Sequence, residues 1–286
     1  MNRFIISTLL VVITCSVAAA ESSVWKAHKG DSVIYLGGTC HLLRDGDYPL
    51  PPEFAMAYKA ADIVVFETDI GKMLDQATQQ KLLTKARYAD GSTLAKHLSP
   101  LTYKELSTYC AANGIPMEQF EQFKPAMLML TLTLMELEKM GVRRQGVDQF
   151  FYDLALKEKK VIEGLETVDE QLNYVVSMAD GIEDEFVSYS LKDMATLRQQ
   201  FAALASAWRT GDAVKLDELM VADLKTRQPR LYSRLITDRN RNWLSIIAAY
   251  QNMPKTRFVL VGAGHLVGRD GIIEALKKKG YRVEKL

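Results

Sequence analysis

Cysteine is scarce in this chain, three residues among 286, and that excludes the small disulfide-stapled scaffolds of exported proteins. An excess of one charge is missing too: 36 Lys and Arg face 35 Asp and Glu, so no bulk field draws a polyanion such as nucleic acid. No apolar run reaches membrane-spanning length, and no linker-like or low-complexity stretch divides the chain. Histidine occurs only four times, which makes the position of each one informative. What remains is ordinary globular material, 48% hydrophobic and 25% charged, long enough for one large domain or two small ones.

The first twenty residues read as an address. Asn2-Arg3 is a short basic start, Phe4 to Val17 an apolar run of about 14 residues, too short for a span, and Ala18-Ala19-Ala20 a small-residue cleavage site before Glu21. We expect residues 1–20 to be a signal peptide and residues 21–286 a single domain, periplasmic or secreted, without a transmembrane segment. The alternatives are an uncleaved anchor and a lipoprotein acylated at Cys15; against the second, Thr14 is bulkier than the residue usually found there. Cys40 and Cys110 then remain, either paired in an oxidising compartment or buried as free thiols.

The β-rich segments lie at the two ends. Val24–His28 and Ser32–Leu36 flank Lys29-Gly30-Asp31 as a hairpin. Pro51-Pro52 opens a helix with Phe54, Ala57, Tyr58 and Ala61 on one face, and Ile63–Phe66 is a strand core; that β-α-β order favours parallel pairing. Between the ends the pattern is helical. Ser99-Pro100 starts one helix and Gly114 stops it. Ala126–Met135 is apolar nearly all round and is expected to be a buried core helix. Val147–Lys159 is amphipathic, Val161-Ile162 is a short strand, and Thr167 with Glu170 has capping-box form. Helical pattern resumes from Ile182 to Tyr250, broken near Gly211 and Pro229. The last strand, Arg257–Val261, precedes a closing helix, Gly271–Lys279. The expected fold class is therefore α/β: a central mixed, mainly parallel β-sheet built from both chain ends, with a large helical insertion.

Two of the four histidines sit in the same setting. Gly38-Thr39-Cys40-His41 and Gly262-Ala263-Gly264-His265 each place G-x-x-H directly after a strand, at the edge where α/β sheets form binding crevices. Gly37 and Gly38, like Gly262 and Gly264, allow close approaches there. Glu67 ends another strand, and Glu163 or Glu166 a third. If these strands run parallel, the side chains converge on one edge, and two imidazoles with a carboxylate form a three-ligand set for a catalytic divalent metal. Glu67 suits either a ligand or a general base. Glu166 ranks below it because it sits at a helix start. Arg239, followed by Asn240, offers donors for a substrate carboxylate or an oxyanion. Cys40 is expected to turn away from His41, and His28 and His97 to be exposed.

Taken together, Tyr35–His41, Ala61–Thr68, Gly164–Thr167, Arg239-Asn240 and Val261–Gly268 resemble the TraB/GumN family, which is related to the Tiki proteins. The resemblance covers nearly all of residues 24–286. It implies an α/β fold with a central sheet and, as in Tiki-like members, a metal-dependent peptidase supported by manganese or cobalt. It places the two family histidines on His41 and His265, the acidic residue on Glu67 and the arginine on Arg239. The expected protein is an exported metal-dependent hydrolase acting on a peptide or protein substrate. Its metal ligands are His41, Glu67 and His265, its catalytic residues Glu67 and Arg239, and its substrate-binding residues Asn240 and Glu166. Zinc also fits such a donor set. The alternative is a non-catalytic periplasmic binding protein for a peptide, haem or metal ion.

Overall fold

The computed structural model describes residues 22–143 and 145–286; the expected leader and Cys15 lie outside them. A six-stranded sheet forms the centre, in the order β6-β4-β7-β2-β1-β8. Its strands are β1 (Val24–Lys29), β2 (Ser32–Thr39), β4 (Ile63–Phe66), β6 (Val161–Gly164), β7 (Arg257–Gly262) and β8 (Arg282–Lys285). β3 (Leu43–Arg44) and β5 (Val142–Arg143) make a separate two-stranded ribbon.

β1 and β2 form the expected hairpin, with Lys29 opposite Ser32. β6, β4, β7 and β2 are mutually parallel, while β1 and β8 add antiparallel. The α/β expectation therefore holds, with one difference in detail: β2 and β4 are parallel but not adjacent, because β7 lies between them. Every residue of β7 is buried, as a strand with parallel neighbours on both sides and covered faces must be. One face carries an aromatic layer in which Phe258 of β7 lies 6.4 Å from Phe54 and 5.9 Å from Phe151, between ring centroids. Alternation turns Val259 and Val261 to the opposite face.

The helical insertion has its own core, formed by Leu94, Leu106, Leu128, Leu132, Phe186 and Val187 among others. Ser99 caps the helix Pro100–Ala112 by accepting from Thr102 N–H, and the Thr167–Glu170 capping box is formed at Val168–Ser177. The long helix Glu183–Thr210 returns to the sheet through Trp208, whose indole N–H donates to Gly38 O at 2.7 Å. The helix Pro125–Lys139 departs from the expected core helix. Leu128, Met129 and Leu132 are buried, yet Leu130, Leu134 and Met135 are each more than one-third exposed. It packs against Glu183–Thr210, Val168–Ser177 and the short strand β5, which leave those last three side chains partly uncovered. Cys40 and Cys110 are both free thiols. Among the described residues no helix is long and apolar enough to cross a membrane.

Candidate functional site

The carboxyl ends of β6, β4, β7 and β2 are consecutive along one edge of the sheet. Glu166 follows β6, Glu67 follows β4, His265 lies one turn past β7 and His41 two residues past β2. Apolar runs drive β4, β7 and β2 into the core, so the first polar residues beyond them emerge at this edge, while the shorter, more exposed β6 brings Glu166 there by pairing with β4.

His41 is exposed, and its Nδ1 lies 2.8 Å from Asp148 Oδ2. Asp148 reaches it because the backbone before the helix Val147–Lys157 lies on the Cys40–His41 segment: Val147 N–H donates to Cys40 O at 3.1 Å. A Cβ at Gly146 would stand 2.3 Å from both Cys40 O and His41 O, so only glycine allows that approach. The carboxylate of Asp148 is the main cause of a His41 pKa raised to about 9, and its bond to Nδ1 leaves Nε2 as the free ring nitrogen.

His265 is buried and in the opposite state. Its Nδ1 lies 2.7 Å from Asn240 Oδ1, while Asn240 Nδ2 donates to His265 O and Asp270 O. Two carbonyls can only accept, which orients the Asn240 amide and places the His265 proton on Nδ1. Burial is the main cause of a His265 pKa lowered to about 3, with Arg239 and His41 adding to it against the pull of Glu67. Its neutral Nε2 is 3.3 Å from Arg239 Nη1, and its ring packs on Trp243.

Glu67 is buried, its Oε1 accepting from Gly262 N–H at 2.8 Å and its Oε2 from Arg239 Nη2 at 2.6 Å. Burial disfavours its charge, yet Arg239, then the two histidines and the Gly262 amide, bring its pKa down to about 2. Arg239 is itself buried and also donates to both oxygens of Glu166, at 2.7 and 3.2 Å, and to Gln171 Oε1 at 3.0 Å. Its guanidinium lies over Trp243, whose indole N–H donates to Glu166 Oε2. Glu163, the other acid offered for this strand end, pairs with Arg257 instead.

Gly262 stands at the centre. A Cβ built on it would be 3.4 Å from Glu67 Oε1, 3.5 Å from His41 Nε2 and 3.6 Å from His265 Cδ2. Three groups from distant parts of the sequence thus open on one small space that the glycine keeps clear. Glu67, Glu166 and Asp148 bring two more negative charges than Arg239 balances when both histidines are neutral. That donor set and charge suit a divalent cation. Among the described residues, however, no three His, Cys, Asp or Glu side chains already stand as a metal-holding group. Arg239 takes part of Glu67 and faces the lone pair of His265, so those two donors are turned toward it.

Asp148, Gln171 and Trp243 were not found from the sequence. Asp148 sits in the first turn of a helix, where an acid is favoured by the helix dipole alone, and nothing in the spacing pairs it with His41. Cys40 packs against the hydrophobic core, and burial pushes its thiol pKa up. His28 is half-buried and His97 exposed, stacked on Tyr88; both lie apart from the site.

The model of the TraB/PrgY/gumN family matches residues 23–285. A protein described as a metalloprotease TIKI homolog, from Amphimedon queenslandica, is 23% identical over 201 residues, which cover 58% of this chain and 38% of that protein. The chain therefore spans well under half the length of that relative. No solved structure matches the chain.

Proposed function

The chain belongs to the TraB/PrgY/gumN family, and from that membership and the edge geometry we propose that it is an exported, metal-dependent hydrolase of peptide bonds, periplasmic or secreted. The observation that carries this reading is the convergence of His41 Nε2, Glu67 Oε1 and the His265 ring on the space beside Gly262. His41, Glu67 and His265 would hold a divalent ion, manganese or cobalt by family likeness or zinc by donor type. Bound there, the ion supplies Lewis-acid polarisation of a scissile carbonyl and a nucleophile at neutral pH.

The remaining roles belong to the chain's own groups. Asp148 and Asn240 each hold an Nδ1–H, which fixes the ring orientation and presents Nε2. Glu67, with a pKa of about 2, is poorly matched to remove protons near neutrality and suits a ligand better than a general base. Arg239 keeps its charge, pairs with both Glu67 and Glu166, and would offer a donor to an oxygen that develops negative charge in this cleft. Glu166 keeps that guanidinium in place, and it borders the groove through which a substrate would reach the site.

A second reading, a binding protein for a peptide, haem or metal ion that does no chemistry, is favoured by one observation: Arg239 already satisfies part of Glu67 and faces His265. One experiment separates the two. Metal-free protein is incubated with a peptide pool, manganese, cobalt or zinc is added, and products are read by mass spectrometry. Metal-stimulated cleavage is expected, lost in Gly262→Ala, whose methyl group enters the cradle at ordinary contact distances while the backbone at φ −48° tolerates alanine. Binding of metal or peptide by folded protein with no product would establish the second reading.

A further inference from the structure

β6 is the outermost strand on its side of the sheet and pairs with β4 alone. Just past it, Leu165 N–H donates to Phe66 O at 3.0 Å, and the register sets Phe66 opposite Gly164. In a parallel ladder alternate residues turn their amide groups to the same side. Glu163 and Val161 therefore face β4 as Leu165 does, while Ile162 and Gly164 direct N–H and C=O to the open edge. The same two residues line a groove of about 870 Å³. Thr68 and Glu166 line it too, so it runs to the residue after Glu67 and to the partner of Arg239; Thr78 and Ile246 also line it.

One residue beside the groove carries an unsatisfied polar group. Thr68 is 6% exposed, and its hydroxyl has no hydrogen-bond partner among the described residues. A buried hydroxyl without a partner costs free energy, and native structures seldom leave one so without a reason. An unblocked strand edge is likewise a template for another extended chain.

We infer that an extended segment of the peptide substrate binds by adding to β6 as a further strand, its main chain meeting the outward amide groups of Ile162 and Gly164. This inference rests on the peptidase reading for the fate of the peptide, not for its binding. Strand addition draws affinity from main-chain hydrogen bonds and leaves selectivity to pockets for alternate side chains. Here Ile162 and Ile246 offer an apolar contact, and Thr68 and Glu166 lead toward the edge where Glu67 lies. The ligand class is thus an extended, unfolded peptide stretch rather than a folded surface.

The probe is a fluorescent peptide of alternating valine and threonine with a lysine at each end, together with two versions N-methylated at one or the other alternate set of amides. Anisotropy on the unaltered chain should show one methylated version weakened at least about tenfold and the other within about threefold of the parent. Ile162→Pro removes the outward N–H and no bond to β4, a substitution that edge strands tolerate; it should weaken the parent peptide to a similar degree, with the fold checked by circular dichroism. Equal binding of both methylated versions, or no binding of the parent peptide to the unaltered chain, would overturn the proposal. So would a peptide-free dimer that Ile162→Pro abolishes, because β6 would then serve a second copy of this chain. Methylation-sensitive binding without metal-stimulated cleavage would sink the hydrolase reading and leave strand addition standing; cleavage indifferent to methylation and to Ile162→Pro would do the reverse.

Discussion

The buried charged residues Asp47, Glu53, Glu67, Arg239, Arg257 and His265, together with the buried side chain of Glu166, all lie outside the core of the helical insertion. That core buries leucines, methionines and Phe186. The two regions thus reach order by different routes. The insertion is held by packing, which is forgiving of chemical detail as long as volume is kept. The sheet edge holds ionised groups in place by pairing each with another, which is costly to assemble but presents charge at fixed positions.

The largest difference should appear on removing one member of the charged edge. Arg239→Ala leaves Glu67 and Glu166 buried without their cation and should cost about 3–5 kcal/mol in urea denaturation. Lys124→Ala, which removes the half-exposed pair with Asp180 on the insertion, should cost less than about 1 kcal/mol. Equal costs would show that the edge carboxylates find other partners and that the contrast is false.

Leu128 is fully buried in the insertion, and Leu128→Ala should cost about 2–5 kcal/mol. Metal-dependent cleavage per folded molecule should stay unchanged, as measured below the shifted midpoint. Loss of activity in folded Leu128→Ala protein would mean that the insertion does more than support the edge. Asp148→Asn should act the other way: metal affinity, followed by calorimetry, falls about 10–100-fold, while the loss of stability is smaller than for Leu128→Ala because His41 is exposed.

The smallest effects are in titration, where the two histidines should part company. In metal-free protein, NMR should find His41 titrating near 9 and His265 neutral throughout the range from about pH 5 to 8. His41 has a folded pKa above its ordinary value, so its contribution to stability is complete below that value and is lost as pH rises through about 9. His265 has a lowered one, so the folded state loses stability as pH falls from the ordinary histidine value toward about 3. Because Nε2 of His41 must lose its proton to ligate, metal affinity should rise with pH up to about 9. A flat dependence would remove His41 from the ligand set.

Much of this could be read in advance, and the residues show why. Phe258–Val261 and Ile63–Phe66 are apolar runs bounded by polar residues or glycine, and Ser99-Pro100 and Thr167–Glu170 are local capping signals that each act within a few residues. The repeated G-x-x-H marked His41 and His265 for the same reason, since a strand's end is a local event. Asp148 was invisible because its partner lies 107 positions away, and an acid in a first helical turn has a sufficient local explanation. The exposed face of Pro125–Lys139 was misread because apolar residues on every side record what a helix can bury, not how many neighbours arrive to cover it. The π-helical turn Ser233–Thr237, directly before the helix that carries Arg239, left no mark in composition at all.

Periodicity, caps and turn residues act over a few residues, and so β1, β2, β4, β6 and β7, most helices and the strand-end histidines were already written in the chain, while β3, β5 and β8 were not. Which strand lies beside which, with β7 entering between β2 and β4, depends on burying two faces at once. That arrangement brought Glu67 to the Gly262 amide and Arg239 to both carboxylates. Charge pairing, ring tautomers and the clear space beside Gly262 are properties of distances between segments far apart in sequence, and only the folded chain has such distances.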